Sequence, residues 1–384
     1  MKKVLATVLA LVMALALCSV SWAADTGVTC DGTNCDHAAE FNGKHYAHLV
    51  DAYAALTRGT APAKQEVITL LKDSAGGGIG ADADKNMNYV IDFAGHTYTV
   101  GAPAVGSVGT VSQGLRVMQT STATFKNGTL KAADYNQLKQ VVHTYGDVTL
   151  DNFTVDATED SYAQVAVEPD CGTLNIIGNS SILAREGQTG LYVAFWHTGT
   201  YDGTTVNVNT TGKITGKLVY EFDERKTGAE AATENKGVLN IGNGNFEIAE
   251  IETIFTESLA DELKVPKISV SGGTYTVDVS KYIATDKIVQ KDGNTYKVVA
   301  DGAITSGTYT SEPTVPSGYK ATKNDDGTWT VSKVSYYYYP STSETTTSTT
   351  TKGSPKTFDA GIALYVGMAL TSVTGLAYTG KKKF

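Results

Sequence analysis

Five charged side chains in two neighbouring stretches are the first to suggest chemistry. Asp147, Asp151 and Asp156 surround the segment VTLDNFTVDA, and Arg185 with Glu186 follow in the next comparable segment. Hydrolysis of a glycosidic bond needs two carboxylates facing each other across that bond, about 5–9.5 Å apart, and a glycan lyase uses an acidic cation site beside a basic residue. These five residues are the catalytic candidates for either reaction. Their plainer use is structural, because Asp151 and Asp156 flank Asn152, where acids serve as turn formers and solvent-facing groups.

Three other groups invite a ligand. ADADKNMN places Asp82, Asp84, Asn86 and Asn88 at every second residue, like the front of a calcium loop. Met87 and Phe93 stand where such a loop carries glycine and its last acid, so a polar turn ahead of NYVIDF is the stronger reading and no cofactor is expected. Cys30, Cys35, His37, His45 and His48 gather within a short span, but their spacing fits no zinc finger. Outside the cell Cys30 and Cys35 are close enough to form a small disulfide loop, which leaves Cys171 as a buried thiol. The stretch YVAFWHTGTY offers Tyr192, Phe195, Trp196 and Tyr201 as an aromatic platform for sugar rings, against the alternative of core packing. No Ser-His-Asp order, phosphate loop or DNA-reading helix is present.

The elements that must position these groups are repetitive. An alternating strand, a turn at Gly or Asn and a second short strand recur as YVIDFAGHTYTV, ATFKNGTLKA, VTLDNFTVDA, LNIIGNSSIL, VNVNTTGKIT, LNIGNGNFEI and ISVSGGTYTV. Their turn residues Gly95, Gly128, Asn152, Gly178, Gly212, Gly244 and Gly273 are spaced 33, 24, 26, 34, 32 and 29 apart, the signature of a solenoid. Period-two alternation excludes helical repeats. A β-sandwich would join similar strands by hairpins every 8–12 residues, whereas these come about 30 apart, which predicts one coil of a parallel β-helix per repeat. Seven coils at about 4.8 Å each make a rod on the order of 35 Å.

The ends of such a stack need covers. Tyr46, Leu49, Val50, Tyr53 and Leu56 recur at helical spacing and predict a short amphipathic helix that caps the first end. Two related units, 272–299 and 306–331, share Gly-Thr-Tyr, Tyr-x-Ala-Thr and an Asp-Gly turn, and predict small β units at the far end. The expected division is a signal peptide over 1–23, a capping segment over 24–75, a parallel β-helix over 76–283 and C-terminal β units over 284–334, followed by a stalk over 335–353 and an anchoring tail over 354–384.

Location is the best-signalled property. Lys2 and Lys3, an apolar run and Ser21-Trp22-Ala23 read as an export signal cut after Ala23; Leu17 is too bulky for a lipoprotein signal at Cys18. From Ser341 to Thr351, ten of eleven residues are Ser or Thr, a solvated spacer that cannot bury a core. The uncharged stretch 360–380 is long enough for a transmembrane helix, and Lys381, Lys382 and Lys383 would hold its end in the cytoplasm. Of 31 Lys and Arg, loss of Lys2, Lys3, Lys381, Lys382 and Lys383 leaves 26; of 40 Asp and Glu, loss of Asp359 leaves 39; the exported part is about 13 negative. That balance argues against nucleic acid and anionic membranes as partners.

Taken together, export signal, repetitive body, Ser/Thr stalk, Pro355-Lys356-Thr357, apolar segment and basic tail resemble the sortase-anchored surface proteins of Gram-positive bacteria. The resemblance implies sortase and peptidoglycan as partners, cleavage after Thr357 and wall attachment, or a retained membrane anchor. Ser354 and Phe358 depart from the usual Leu and Gly of that sorting motif. Over roughly 85–300 the body also resembles the right-handed parallel β-helix domains of the pectate-lyase-like class found in adhesin-like proteins, an architectural likeness without a specific motif. The functional expectation is a wall-anchored protein that displays a rod for adhesion or for binding a glycan or another partner. The alternatives are an extracellular polysaccharide lyase or glycosidase and a structural surface-layer component.

Overall fold

The structure is a computed structural model of the 384-residue chain, and it describes residues 36–60, 64–107, 109–198, 201, 203–224 and 231–335. The chain divides into two compact units, Met1–Val334 and Ser335–Phe384, and the described strands and helices all belong to the first. The export signal, Cys30, Cys35 and the sorting motif Pro355, Lys356 and Thr357 lie outside the described residues. So does the span expected at 360–380; among the described residues no helix is long and apolar enough to cross a membrane.

Alternation in the sequence becomes parallel pairing in space. In a first ladder, Glu66–Leu70 pairs with Asn88–Asp92, which pairs with the first half of Thr122–Ala132. The ladder continues through Asp147–Asp156, Gly172–Gly178, Thr204–Asp223 and Gly237–Phe255 to Ile268–Val270, parallel at every step. Beyond a corner in each coil, a second ladder runs from Ser74–Gly76 through Thr97–Val100, the later halves of the strands at 122–132 and 147–156, and Ser181–Leu183, to Thr274–Tyr275. A third joins Thr110–Val117, Gln140–Thr144, Val165–Pro169, Thr189–Trp196 and the distal parts of the two longest strands. The repeated phrase in the sequence therefore supplies two of the three strands in each coil, and the third lies in the text between phrases.

Register decides what is buried. Ile68, Ile91, Phe125, Leu150, Ile176, Val208, Ile241 and Val270 occupy one column of the first ladder, each at most 1% exposed. Tyr98, Leu130, Val155, Ile182, Ile214, Phe246 and Tyr275 make the matching column of the second. Leu115, Val142, Val167, Leu191 and Leu218 do the same in the third. Because side-chain direction has period two, a one-residue slip would turn a whole column out to water. The alternate positions face outward and hold mostly Thr, Asn and charged residues, with Val67, Val90 and Ile177 among the exceptions; Asn207 donates to Asn175, and Asn240 to Asn207, each at 3.0 Å.

Corners between the first two ladders use the residues that the sequence marks as turns. Asn152 takes φ 51 and Gly178 φ 64, left-handed conformations that Asn and Gly tolerate best. Gly128 is required for space instead: a Cβ there would lie 2.3 Å from the Phe93 Cβ and 2.4 Å from the His96 carbonyl oxygen.

Both ends of the stack switch to antiparallel pairing. At the first end Ala39–Phe41 pairs antiparallel with Glu66–Leu70 and with Lys44–Tyr46, and the short helix Leu49–Ala54 buries Leu49, Ala52 and Tyr53 against them. At the other, Thr274–Tyr275 pairs antiparallel with Thr295–Ala300, continuing through Lys287–Asp292, Gly307–Tyr309, Trp329–Lys333 and Tyr319–Lys323. Ile288, Ile304, Tyr309 and Val331 give this antiparallel end its own small core.

Replacing Phe125 by Ala removes a fully buried ring from the central column and is expected to cost about 3–5 kcal/mol in urea unfolding. Thr124→Ala, one residue away on the outward side, should change stability by no more than about 0.5 kcal/mol. Equal effects of the two would contradict the assigned register.

Candidate functional site

The outward side of the third ladder breaks the pattern. Arg116, His143 and Glu168 are in register on adjacent strands, at positions that point away from the apolar column. They are nonetheless buried, at 3%, 2% and 6% exposure, as are Gln113 at 4% and Asp170 at 0%. A charged group is tolerated in such a place only when paired or hydrogen-bonded.

The pairing is dense. His143 Nδ1 lies 2.6 Å from Gln113 Nε2, and His143 Nε2 lies 2.5 Å from Asp170 Oδ2. Arg116 places Nη1 2.6 Å from Asp82 Oδ1 and donates from Nη2 to Ser107 Oγ at 2.9 Å; Ser107 in turn donates to Asp82 at 3.0 Å. The short strand Val105–Ser107, folded back antiparallel on Thr110–Val117, brings Ser107 there. Aromatic rings close the rest: Tyr145 lies 4.7 Å from the His143 ring, Tyr201 stacks on Tyr145 at 5.2 Å, and Trp196 meets His143 edge-on at 6.2 Å. The Arg116 guanidinium lies 5.5 Å from the Tyr145 centroid, in cation–π range. Trp196 Nε1 donates to Glu221 Oε2 at 3.2 Å.

Burial shapes the electrostatics. It lowers the His143 pKa to about 4, an effect opposed by Glu168 and reinforced by Arg116. It raises the Glu168 pKa to about 7, helped by the charge of Asp170 and opposed by His143. Burial also raises Tyr145, Tyr192 and Tyr201, with nearby carboxylates acting in the same direction. Among the described residues, His143, Glu168 and Asp170 are the group whose ligand atoms lie close enough together to hold a metal ion, all within 4.8 Å of one another. Beside them, an open depression of about 300 Å³ is lined by Gln119, Thr120, Tyr145, Gly146, Asp147, Cys171 and Gly172. Cys171, expected to be buried, is half-buried at this place.

The residues singled out from the sequence are distributed differently. Asp147 accepts from the Thr173 amide and Asp151 from the Asn152 side chain, both along the first ladder. Asp156, on the second ladder, holds the amide and hydroxyl of Thr158. Arg185 donates to the Ser161 carbonyl, and exposed Glu186 follows it in a turn. Both carboxylates of the calcium-loop set have other work: buried Asp84 accepts from Tyr53, Arg58 and the Ala81 amide, and Asp82 pairs with Arg116. Asn86 donates to the Gly59 carbonyl, and Asn88 begins the strand Asn88–Asp92. The rings of His37 and His45 are 6.1 Å apart, edge to face. Of the aromatic candidates, Tyr192, Trp196 and Tyr201 are half-buried around the third-ladder cluster, whereas Phe195 is buried against Phe222 and Leu259.

Gln113, Arg116, His143, Glu168 and Asp170 escape a reading of the repeated phrase because they lie between its copies. Their trace is nevertheless present: Arg116, His143 and Glu168 interrupt apolar runs at steps of 27 and 25, the local coil length. No protein-family model matches the chain, and neither a curated protein nor a solved structure matches it.

Glu168 gives a pH signature. An acid whose pKa rises from 4.5 to about 7 on folding does not destabilise below 4.5, and its own contribution to stability falls as pH climbs through that window and then levels off. In metal-free buffer, Glu168→Gln should remove that loss, gaining roughly 3 kcal/mol on wild type at pH 8 and far less at pH 4.5. Parallel stability curves from thermal melts across this range would refute the assignment.

Proposed function

We propose that this is a cell-wall-anchored surface protein whose body is a right-handed parallel β-helix, and that the outward side of its third ladder binds an extracellular glycan. The observation that carries the binding reading is the grouping of Tyr145, Tyr192, Trp196 and Tyr201 around one polar cluster. The half-buried rings of Tyr192, Trp196 and Tyr201 offer flat apolar surface to the C–H faces of sugars, and Thr120 and Asp147 in the adjoining open depression suit hydroxyls. Parallel ladders joining strands one coil apart support the β-helix. The anchoring reading rests on the order of signals in the sequence: export segment, Ser/Thr stalk, Pro355-Lys356-Thr357, apolar stretch and three lysines. Sortase would join Thr357 to peptidoglycan, leaving the rod outside and the stalk as a spacer.

A glycan array probed with the mature protein should yield ligands whose affinity falls roughly tenfold or more in Trp196→Ala/Tyr201→Ala. New reducing ends released from such a ligand would replace binding with hydrolysis or lysis, and unchanged affinity in the double variant would move the binding surface elsewhere. Wall digests of the native organism should contain a peptide ending at Thr357 with a wall fragment attached. An intact peptide reading through Phe358 in the membrane fraction would overturn wall attachment.

A further inference from the structure

We propose that His143, Glu168 and Asp170 form a binding site for one divalent transition-metal ion of the zinc type. His143 and Glu168 sit on neighbouring strands of the third ladder, and Asp170 directly follows the second of these, its amide donating to the Thr144 carbonyl at 2.8 Å, so the backbone fixes their spacing. Their ligand atoms lie within 4.8 Å of one another. With metal–ligand bonds of about 2.0–2.2 Å at tetrahedral angles, such atoms end up roughly 3.3 Å apart, which side-chain shifts under about 1 Å would produce here. One imidazole nitrogen with two carboxylates selects zinc and its neighbours over calcium or magnesium, which prefer oxygen alone. Three protein ligands also leave a fourth position of a tetrahedral ion for an outside ligand.

Two further observations point to a cation. Gln113, 4% exposed, rests its amide 2.6 Å from His143 Nδ1, and its Oε1 is buried without a hydrogen-bond partner. Which end of that amide faces the ring is an assignment. With Oε1 turned to the ring, Nδ1 carries a proton and Nε2 faces Asp170 Oδ2 at 2.5 Å, a contact that needs either a second proton or a metal ion between the two atoms. A histidine that donates Nδ1–H to a fixed carbonyl and offers Nε2 is the usual metal-ligating arrangement. The second observation is charge: the carboxylates of Asp170 and Glu221 both act on Glu168, and the nearby Arg116 is engaged by Asp82. An ion at the proposed position would offset that crowding of carboxylates.

The test uses the full mature chain, stripped with a chelator and titrated with zinc chloride in a calorimeter, with calcium chloride as the comparison. One zinc equivalent is expected per chain, with no comparable calcium uptake. It should weaken at least about 100-fold in His143→Gln and in Glu168→Gln, and persist in His45→Gln, which reports on any site near His37 and His45. Circular dichroism checks that each variant is folded; if His143→Gln is not, the near-isosteric Glu168→Gln carries the comparison. Absence of zinc binding by the wild-type protein, or an equivalent that survives unchanged in folded Glu168→Gln, would overturn the site. Glycan binding by the metal-free protein is measured separately, so either reading can fail without the other.

Discussion

The three parallel ladders depend on in-register stacking of successive coils. Each inner strand of a ladder pairs with the strand one coil before and one coil after it, so a side chain has as its nearest neighbours the residues at the same place in adjacent coils. Stability is thereby a matter of columns: an apolar residue is useful only if its counterparts are apolar too. That constraint explains why the column from Ile68 to Val270 is wholly aliphatic or aromatic while the adjacent outward positions vary freely.

The same constraint makes a functional surface possible without any long binding loop. A charged residue placed at an outward position of one coil stands about 4.8 Å from its counterparts in the next. Arg116, His143 and Glu168 are assembled in this way, by register alone, from strands separated by 27 and 25 residues. What turns them from an exposed row into a buried network is local. The folded-back strand Val105–Ser107 supplies Ser107, the turn before Asn88–Asp92 supplies Asp82, and Tyr145, Trp196 and Tyr201 exclude water from the other side. Exclusion of water is then what drives the pKa values of His143 and Glu168 in opposite directions, each toward its neutral form.

Antiparallel pairing at both ends answers a problem that stacking creates. A parallel ladder ends in an unpaired strand edge, which invites other chains. Here the hairpin Ala39–Phe41 and Lys44–Tyr46 with the helix Leu49–Ala54 occupies one edge. The series from Thr295–Ala300 to Tyr319–Lys323 extends another, and its last strand carries Lys320 and Lys323. Asp84 belongs to this architecture, because its contacts with Tyr53 and Arg58 tie the cap to the first coils.

Alternation of apolar with polar residues, together with Asn and Gly at intervals near thirty, was enough by itself to determine strands, corners and coil spacing, since each is set by local backbone preference and a period of two; the helical spacing of Leu49, Tyr53 and Leu56 did the same for the short helix. Parallel pairing followed from spacing, because similar strands that far apart cannot be joined by tight hairpins. The third strand of each coil was not legible: it has no shared phrase, and its membership in a ladder appears only when the coils are stacked. For that reason Asp147, Asp151 and Asp156, close in sequence, attend to separate turns, whereas His143, Glu168 and Asp170, with Gln113 and Arg116 from the preceding coil, meet in one buried network. Composition and periodicity fix what a segment becomes; only tertiary register decides which side chains are brought within bonding distance, because that depends on the lengths of all the turns between them.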